Sequence, residues 1–342
     1  MPVAASDIQF FRSNVVNSSG TNGGTMSTTQ IPNNTKNSIF NDVSPDILTS
    51  GGTFYRKIFT KVANAYNISL ASTRLFIANV NADADRISFF PGTQTNTQSN
   101  LTGSETQYGI GNLNANISMG ATSCTVSCKA NDGQFQNGGL VRISNQPTVG
   151  SGTGTEDFIR LAASGGVGWS GSIATLNFAS GQQVQYGYLA AETVVSACYE
   201  AGTVVPTWGT WNGSTASGTY DGTAPSSTPT VNVPILSAIG TVEDTWTITF
   251  SSATAFGCVG SASGNVGGGT IASPFIPNNP AFSLPYFTLP AAWAGVWSSG
   301  DYITFKTHPS AVPLWMKQIV PSSCSSLSGD GTSIGVSGAS GS

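Results

Sequence analysis

Only 8% of this 342-residue chain is Asp, Glu, Lys or Arg, where an ordinary soluble domain carries roughly 25%. With 12 Lys+Arg against 16 Asp+Glu and a formal net charge of −4, it has no basic patch for phosphate backbones, which argues against nucleic acid as a partner. It also lacks the run of about 18 apolar residues that a membrane-spanning helix needs.

A surface of Ser, Thr, Asn, Gln and Gly stays hydrated without charge, but it lacks the repulsion that keeps monomers apart. Charge depletion also marks the buried part of protein interfaces. Permanent assembly is therefore the favoured reading, with extracellular exposure as its rival. The opening Met1-Pro2-Val3-Ala4-Ala5-Ser6-Asp7 has neither a basic region nor an apolar stretch after it, so a Sec-type export signal is not expected. The length suits two domains, since single cores stop growing near ~250–300 residues.

Taken in order, residues 1–12 read as a short strand or arm anchored by Ile8, Phe10 and Phe11. Residues 13–30, rich in Asn, Ser, Gly and Thr, read as a long loop that would lie on a neighbouring subunit. Residues 31–48 hold one short helix or turn between Pro32 and Pro45. In residues 53–63, Phe54, Ile58 and Val62 alternate with Tyr55, Lys57, Phe59 and Lys61. This predicts an exposed strand with solvated lysines, contact with an acidic partner being the alternative. Residues 74–80 and 86–90 are two more strands, joined by a hairpin turn at residues 81–85. Asp83 and Asp85 lack the Gly and Glu that a calcium loop would add.

Residues 109–121 read as a linker. Four short strand candidates follow, at residues 121–128, 139–144, 155–161 and 173–178, with Gly-rich turns between them, which suggests a small sandwich or barrel. Residues 113–190 are accordingly an inserted module, and the host sheet resumes after residue 191. The stretch Gly150-Ser151-Gly152-Thr153-Gly154 has neither the Lys nor the helix of a phosphate loop.

Trp208, Trp211 and Tyr220 lie in a polar, Pro-rich stretch. Such aromatics serve either as a sugar-stacking platform or as anchors of an assembly contact, and the contact is favoured here. Val242, Trp246, Ile248 and Phe250 alternate with Thr241, Glu243, Thr245, Thr247 and Thr249, the period-two signature of a half-buried strand. With the strand-like residues 285–289, 301–307 and 312–320, this predicts one sheet that closes the chain. Residues 322–342 read as a Ser/Gly-rich tail with a strand at residues 333–337 available for donation.

Five cysteines, Cys124, Cys128, Cys198, Cys258 and Cys324, cannot all pair within the chain. Cys124 and Cys128 on one strand would sit ~13 Å apart, too far for a mutual bond. Small buried thiols are the plain reading, and Cys324 in the tail is the candidate for an intersubunit disulfide. His308 is the only histidine, so a zinc site is not expected, and it is also the sole candidate base for serine-type chemistry. Glu243 and Asp244 would point to opposite faces of a strand, while Asp157, Glu192, Asp221 and Asp301 are scattered. No enzyme, metal or cofactor is expected.

The string TVEDTWTITFSSATAFGCVGS at residues 241–261 and PYFTLPAAWAGVWSSGDYITFKTHPSAVPLWMKQIVP at 285–321 resemble a family of structural proteins in virions of tailed bacteriophages. ASDIQFFRSNVVNSSGTNGGTMS at residues 5–27 and FYRKIFTKVAN at 54–64 resemble the start of the same family. The resemblance implies a virion subunit of the tail or neck, made in the host cytoplasm and released by lysis. Its partners would be copies of itself and other virion proteins, with no active-site residue to transfer. Decoration of the capsid is one alternative, and a carbohydrate-binding adhesin that takes host glycan is another.

The expected architecture is all-β. An N-terminal arm and loop at 1–52 precede a discontinuous β-sandwich at 53–112 and 191–321. A β module is inserted at 113–190, and a flexible tail follows at 322–342. Phe10, Phe11, Trp208, Trp211 and Tyr220 are the expected assembly contacts.

Overall fold

The computed structural model describes residues 2–33, 35–146, 149, 152–209, 212–215, 218–221, 234–293, 297–325 and 331–341. It is an all-β protein of stacked antiparallel sheets. The first strands are β1 (Ile8–Val15), β2 (Gly23–Gln30), β3 (Gly52–Val62), β4 (Leu70–Ile77) and β5 (Arg86–Pro91), with one short helix, α1 (Pro45–Ser50), between β2 and β3. The middle of the chain gives β6 (Ile110–Leu113), β7 (Ser123–Ser127), β8 (Leu140–Ser144), β9 (Glu156–Arg160), β10 (Val167–Ser170), β11 (Ile173–Asn177) and β12 (Val194–Val204). Next come β13 (Thr207–Trp208), β14 (Asn212–Thr215), β15 (Gly218–Asp221), β16 (Ile235–Leu236), β17 (Asp244–Phe250), β18 (Ala255–Gly260) and β19 (Gly264–Thr270). The chain finishes with β20 (Asn278–Asn279), β21 (Leu284–Pro285), β22 (Phe287–Thr288), β23 (Tyr302–His308), β24 (Ala311–Val320) and β25 (Ile334–Ser340).

The two ends of the chain build the base. A five-stranded sheet runs β2-β1-β3-β24-β5, and β4, flanked by β12 and β25, faces it. Between them lie Ile58, Val62, Phe89, Leu314 and Met316 from one sheet and Leu70, Leu75, Ile77 and Val204 from the other. This is a β-sandwich, with the two inner faces supplying the core.

Several expectations change here. The predicted N-terminal arm is a β1–β2 hairpin on the chain's own sheet, with β1 paired to β3 from Ile8 opposite Val62 to Arg12 opposite Ile58. Its second strand, GGTMSTTQ, is a sheet edge with mostly neutral polar side chains, which left no apolar alternation to read. Strands β4 and β5 sit in different sheets, so residues 81–85 cross between layers and form no hairpin. Strands β23 and β24 likewise part, one to each of two sheets, so the chain does not close in a single sheet. The short helix expected between Pro32 and Pro45 lies instead from Pro45 onward, with Ser44 as its N-cap and Pro45 in its first turn, where a missing N–H costs nothing.

The inserted module is a closed barrel. Its strands run β9-β8-β12-β6-β7-β11, and an antiparallel bridge between Leu161 and Phe178 joins β9 back to β11. Leu113, Val126, Val141, Ile143, Ile159, Leu176 and Val195 fill it. The predicted linker at residues 109–121 contributes β6, a short barrel strand. Strand β12 spans two units: Val194 to Cys198 pair with β8, whereas Tyr199 to Val204 pair with β4 of the base.

A third unit, expected as part of the host sandwich, has its own aromatic core. Trp246, Ile248, Phe250, Phe256, Phe287, Trp293, Trp297 and Phe305 pack together, with Phe250 stacked on Trp297 at 4.1 Å and Phe256 on Trp293 at 4.7 Å. The period-two reading holds within β17, where Trp246, Ile248 and Phe250 are buried and the threonines between them are not, but Thr241, expected on the open side, is buried ahead of the strand and donates to the Tyr286 carbonyl. Trp246 Nε1 donates to Thr307 Oγ1 (2.8 Å), which donates to the Val242 carbonyl (2.8 Å), so the buried indole is satisfied.

The solvated lysines of β3 are the largest departure. Lys57 is 1% exposed and Lys61 0%, because both faces of β3 are covered. Lys57 Nζ donates to the carbonyls of Gly24 (2.7 Å) and Asn96 (2.8 Å). Lys61 Nζ donates to the carbonyl of Ile239 (2.6 Å) and lies 4.1 Å from the centre of the Phe282 ring. Burial lowers both ammonium groups, Lys57 to about 7 and Lys61 to about 8. The start of β2 and the segments around Asn96 and Ile239, three separate places in the chain, close over this face. Alternation along β3 alone has no means of announcing them.

Candidate interaction surfaces

The barrel presents its loops at one end. Asn112 of β6 and Ser144 of β8 both lie opposite Val194, the first residue of β12. The segments that follow β6, follow β8 and precede β12 therefore leave the barrel together, away from the base that β12 reaches at its other end. Four large apolar residues stand exposed on these segments: Met119 at 73%, Leu189 at 55%, Tyr186 at 47% and Val149 at 41%.

Hydrogen bonds fix this tip. Ile117 and Tyr188 exchange backbone bonds of 3.0 and 2.9 Å, Gly120 N donates to the Val184 carbonyl (2.9 Å), and Ala190 N donates to Asn116 Oδ1 (2.8 Å). Beneath them Asp157 Oδ2 accepts from Tyr188 Oη and from Gln185 N, each at 2.9 Å. Burial, then the hydrogen bond to Asp157, raises the Tyr188 hydroxyl above its ordinary value, so the tyrosine stays a neutral donor. Asp157, expected only as a scattered carboxylate, is the post on which the tip is built.

The sheet of the third unit, ordered β15-β14-β23-β17-β18-β19 with β13 also paired to β23, offers a second, open face. Thr245, Thr247 and Thr249 of β17 lie opposite Lys306, Thr304 and Tyr302 of β23, and Val259 and Tyr302 are exposed beside them. Lys306 is the one charge in this row.

Among the described residues, none of the predicted contacts lies on these two surfaces' exposed apolar positions. Phe11 is 3% exposed and packs with Phe59, Ala311 and Phe282 inside the chain, and Phe10 leans on the base core. Both are tied to the chain's own body because the arm is a hairpin of its own sheet. Trp208 is half-buried against the aromatic core. Trp211 lies outside the described residues, and Tyr220 lies in β15, where only the backbone is described. Cys324 is half-buried beside α1, its Sγ 3.9 Å from the Leu48 carbonyl. Burial pushes the Cys124, Cys128, Cys198 and Cys258 thiols up to about 12, where they are unreactive.

His308 Nδ1 lies 2.7 Å from Glu243 Oε2, and Asp244 turns the other way to accept from Ser261 Oγ, Ala262 N and Ser263 N. That split fits opposite faces of one strand end. Among the described residues no group of three His, Cys, Asp or Glu could hold a metal ion. A polar cleft of about 30 Å³ between base and barrel is lined by Arg86, Ser88, Lys129, Asp132 and Gln134. It has room for a water. No family model, curated protein or solved structure matches the chain.

Proposed function

We propose that the chain is a structural subunit of a tailed-bacteriophage virion, placed in the tail or neck and acting through contacts with copies of itself and with other virion proteins. The observation that carries this reading is the barrel tip, where Met119, Tyr186 and Leu189 are exposed on segments held by backbone and Asp157 hydrogen bonds. Met and Tyr are enriched at interface cores, and a rigid tip loses little entropy when it docks. The low content of charged residues and the resemblance in residues 241–261 and 285–321 point the same way.

The test is assembly. Sedimentation of the purified chain across a concentration series should show oligomers, and the double substitution Met119→Ser, Leu189→Ser should shift them toward monomer without lowering the melting temperature. A chain that stays monomeric at every concentration, or a variant that assembles as the parent does, overturns the reading. Retention of host polysaccharide would support the adhesin instead.

A further inference from the structure

The C-terminal strand is an added piece of sheet. Strand β25 pairs with β4 alone, from Ile334 opposite Ile77 to Ser340 opposite Leu70, while β12 holds the other edge of β4. Asn79 clamps its start: Nδ2 donates to the Gly331 carbonyl (2.8 Å), Oδ1 accepts from Ser333 N (2.8 Å), and the Asn79 carbonyl accepts from Thr332 Oγ1 (2.7 Å). The fit is specific. A Cβ on Gly335 would lie 2.2 Å from the Phe76 ring, and one on Gly338 would lie 2.8 Å from Leu70, so the groove along β4 accepts this glycine-bearing strand and rejects a bulkier one.

The strand is also easy to lift. Ile334 and Val336 are only half-buried and its last three residues are exposed, so opening here costs less than global unfolding. Lifting it bares the β4 edge over Leu75 and Ile77, with Arg74 as the one charge on that strand and none on β25 itself. Sheet edges are normally guarded by charge or proline against added strands. This edge has one arginine and no proline.

We propose that β25 is exchangeable between copies of this chain, seated on β4 of a second copy when copies are concentrated. Every hydrogen bond and apolar contact that β25 and its Asn79 clamp make with β4 is the same whichever copy donates the strand. Reciprocal exchange closes a dimer, and one-way exchange makes a chain of subunits. The inference stands on the tail's own contacts and is independent of placement in a virion.

The experiment uses full-length protein with Cys324→Ser, which removes the one cysteine that is not buried. Ala71 and Ala339 lie opposite each other, at the roughly 5.5 Å that suits a disulfide. Ala71→Cys and Ala339→Cys are made in separate, differently tagged chains, mixed at high concentration and oxidised. Exchange gives a covalent heterodimer that outnumbers both homodimers on a non-reducing gel, and Gly335→Val in the donor chain abolishes it. Absence of a heterodimer above the homodimers overturns the proposal. So does a double variant that closes its bridge only within single chains at every concentration.

Discussion

The two lysines buried on β3 set a measurable pH dependence. In the unfolded chain each titrates near 10.5, whereas in the fold Lys57 titrates at about 7 and Lys61 at about 8. Their folded values are lowered, so between these values and 10.5 the unfolded state binds more protons, and stability rises with pH. Below about 7 both are charged in both states, and the cost of burying the charge is fully present. At ~1.4 kcal/mol per pH step, raising the pH from 6 to 9 relieves about 3 kcal/mol at Lys57 and about 1 kcal/mol at Lys61. The assay is urea unfolding of the parent, Lys57→Met and Lys61→Met at pH 6, 7, 8 and 9, read as the difference between each variant and the parent, so that groups common to both cancel. Each substitution also leaves carbonyls without a donor, at Gly24 and Asn96 or at Ile239, which shifts the variant's stability by the same amount at every pH. The expected result is that Lys57→Met lacks most of the parent's rise and Lys61→Met lacks a smaller part that begins one pH step higher. If Lys57→Met rises with pH as steeply as the parent, the lysine is not held charged and dry, and the reasoning fails.

Other substitutions probe the rest of the fold. Thr60 Oγ1 is buried without a hydrogen-bond partner, so Thr60→Val should stabilise the base by about 1 kcal/mol in the same urea assay. Tyr188→Phe removes the donor to Asp157 and should cost about 1–3 kcal/mol, with faster amide exchange at Tyr188 and Gly120 while amides of β17 stay protected. Trp246→Phe takes away the donor to Thr307 and a ring in contact with Tyr286 and Phe287, for a loss of about 2–4 kcal/mol by calorimetry. Trp208→Ala should lower stability of the third unit, since the ring packs on its core, and a melting temperature equal to the parent's would contradict that placement.

How much of this was legible depended on whether a segment's partner was local. Strand β17 could be read from residues 241–250 because one face is buried and the other is not. The barrel strands β7, β8, β9 and β11 were legible for a similar reason: short apolar runs between glycine turns. The barrel's closure through Leu161 and Phe178 was not, since a single bridge between two strand ends leaves no periodic trace. Strand β3 misled because its alternation was real but both faces are covered. Lys57 and Lys61 resemble solvated lysines until Gly24, Asn96 and Ile239, each far away in sequence, supply carbonyls. The tip at Met119, Tyr186 and Leu189 carried no signal of its own. Scattered single apolar residues in polar loops are ordinary, and only the shared end of β6, β8 and β12 brings these together.

Several of the charges that this chain possesses share a use. Lys57 and Lys61 hold loops onto β3, Arg86 and Asp132 meet at 2.6 Å between base and barrel, and Asp157 holds the tip. Asp244 fixes the turn after β18. Arg142, 1% exposed, reaches Glu156 at 2.7 Å while lying over the Phe76 ring of β4. These groups are connectors between strands and between units, placed where a hydrogen bond to a charge is worth more than one between neutral groups. The pairs Lys36–Asp42 and Arg160–Glu200 stay at the surface, but with so few charges in the chain the outer faces are mostly threonine, serine and glycine with a few large apolar residues. Such faces resist neither close approach nor close packing by another copy. That is a physical reason to expect the isolated chain to associate, and it holds whether the contact is the barrel tip, the open face of β17 and β23, or the edge along β4.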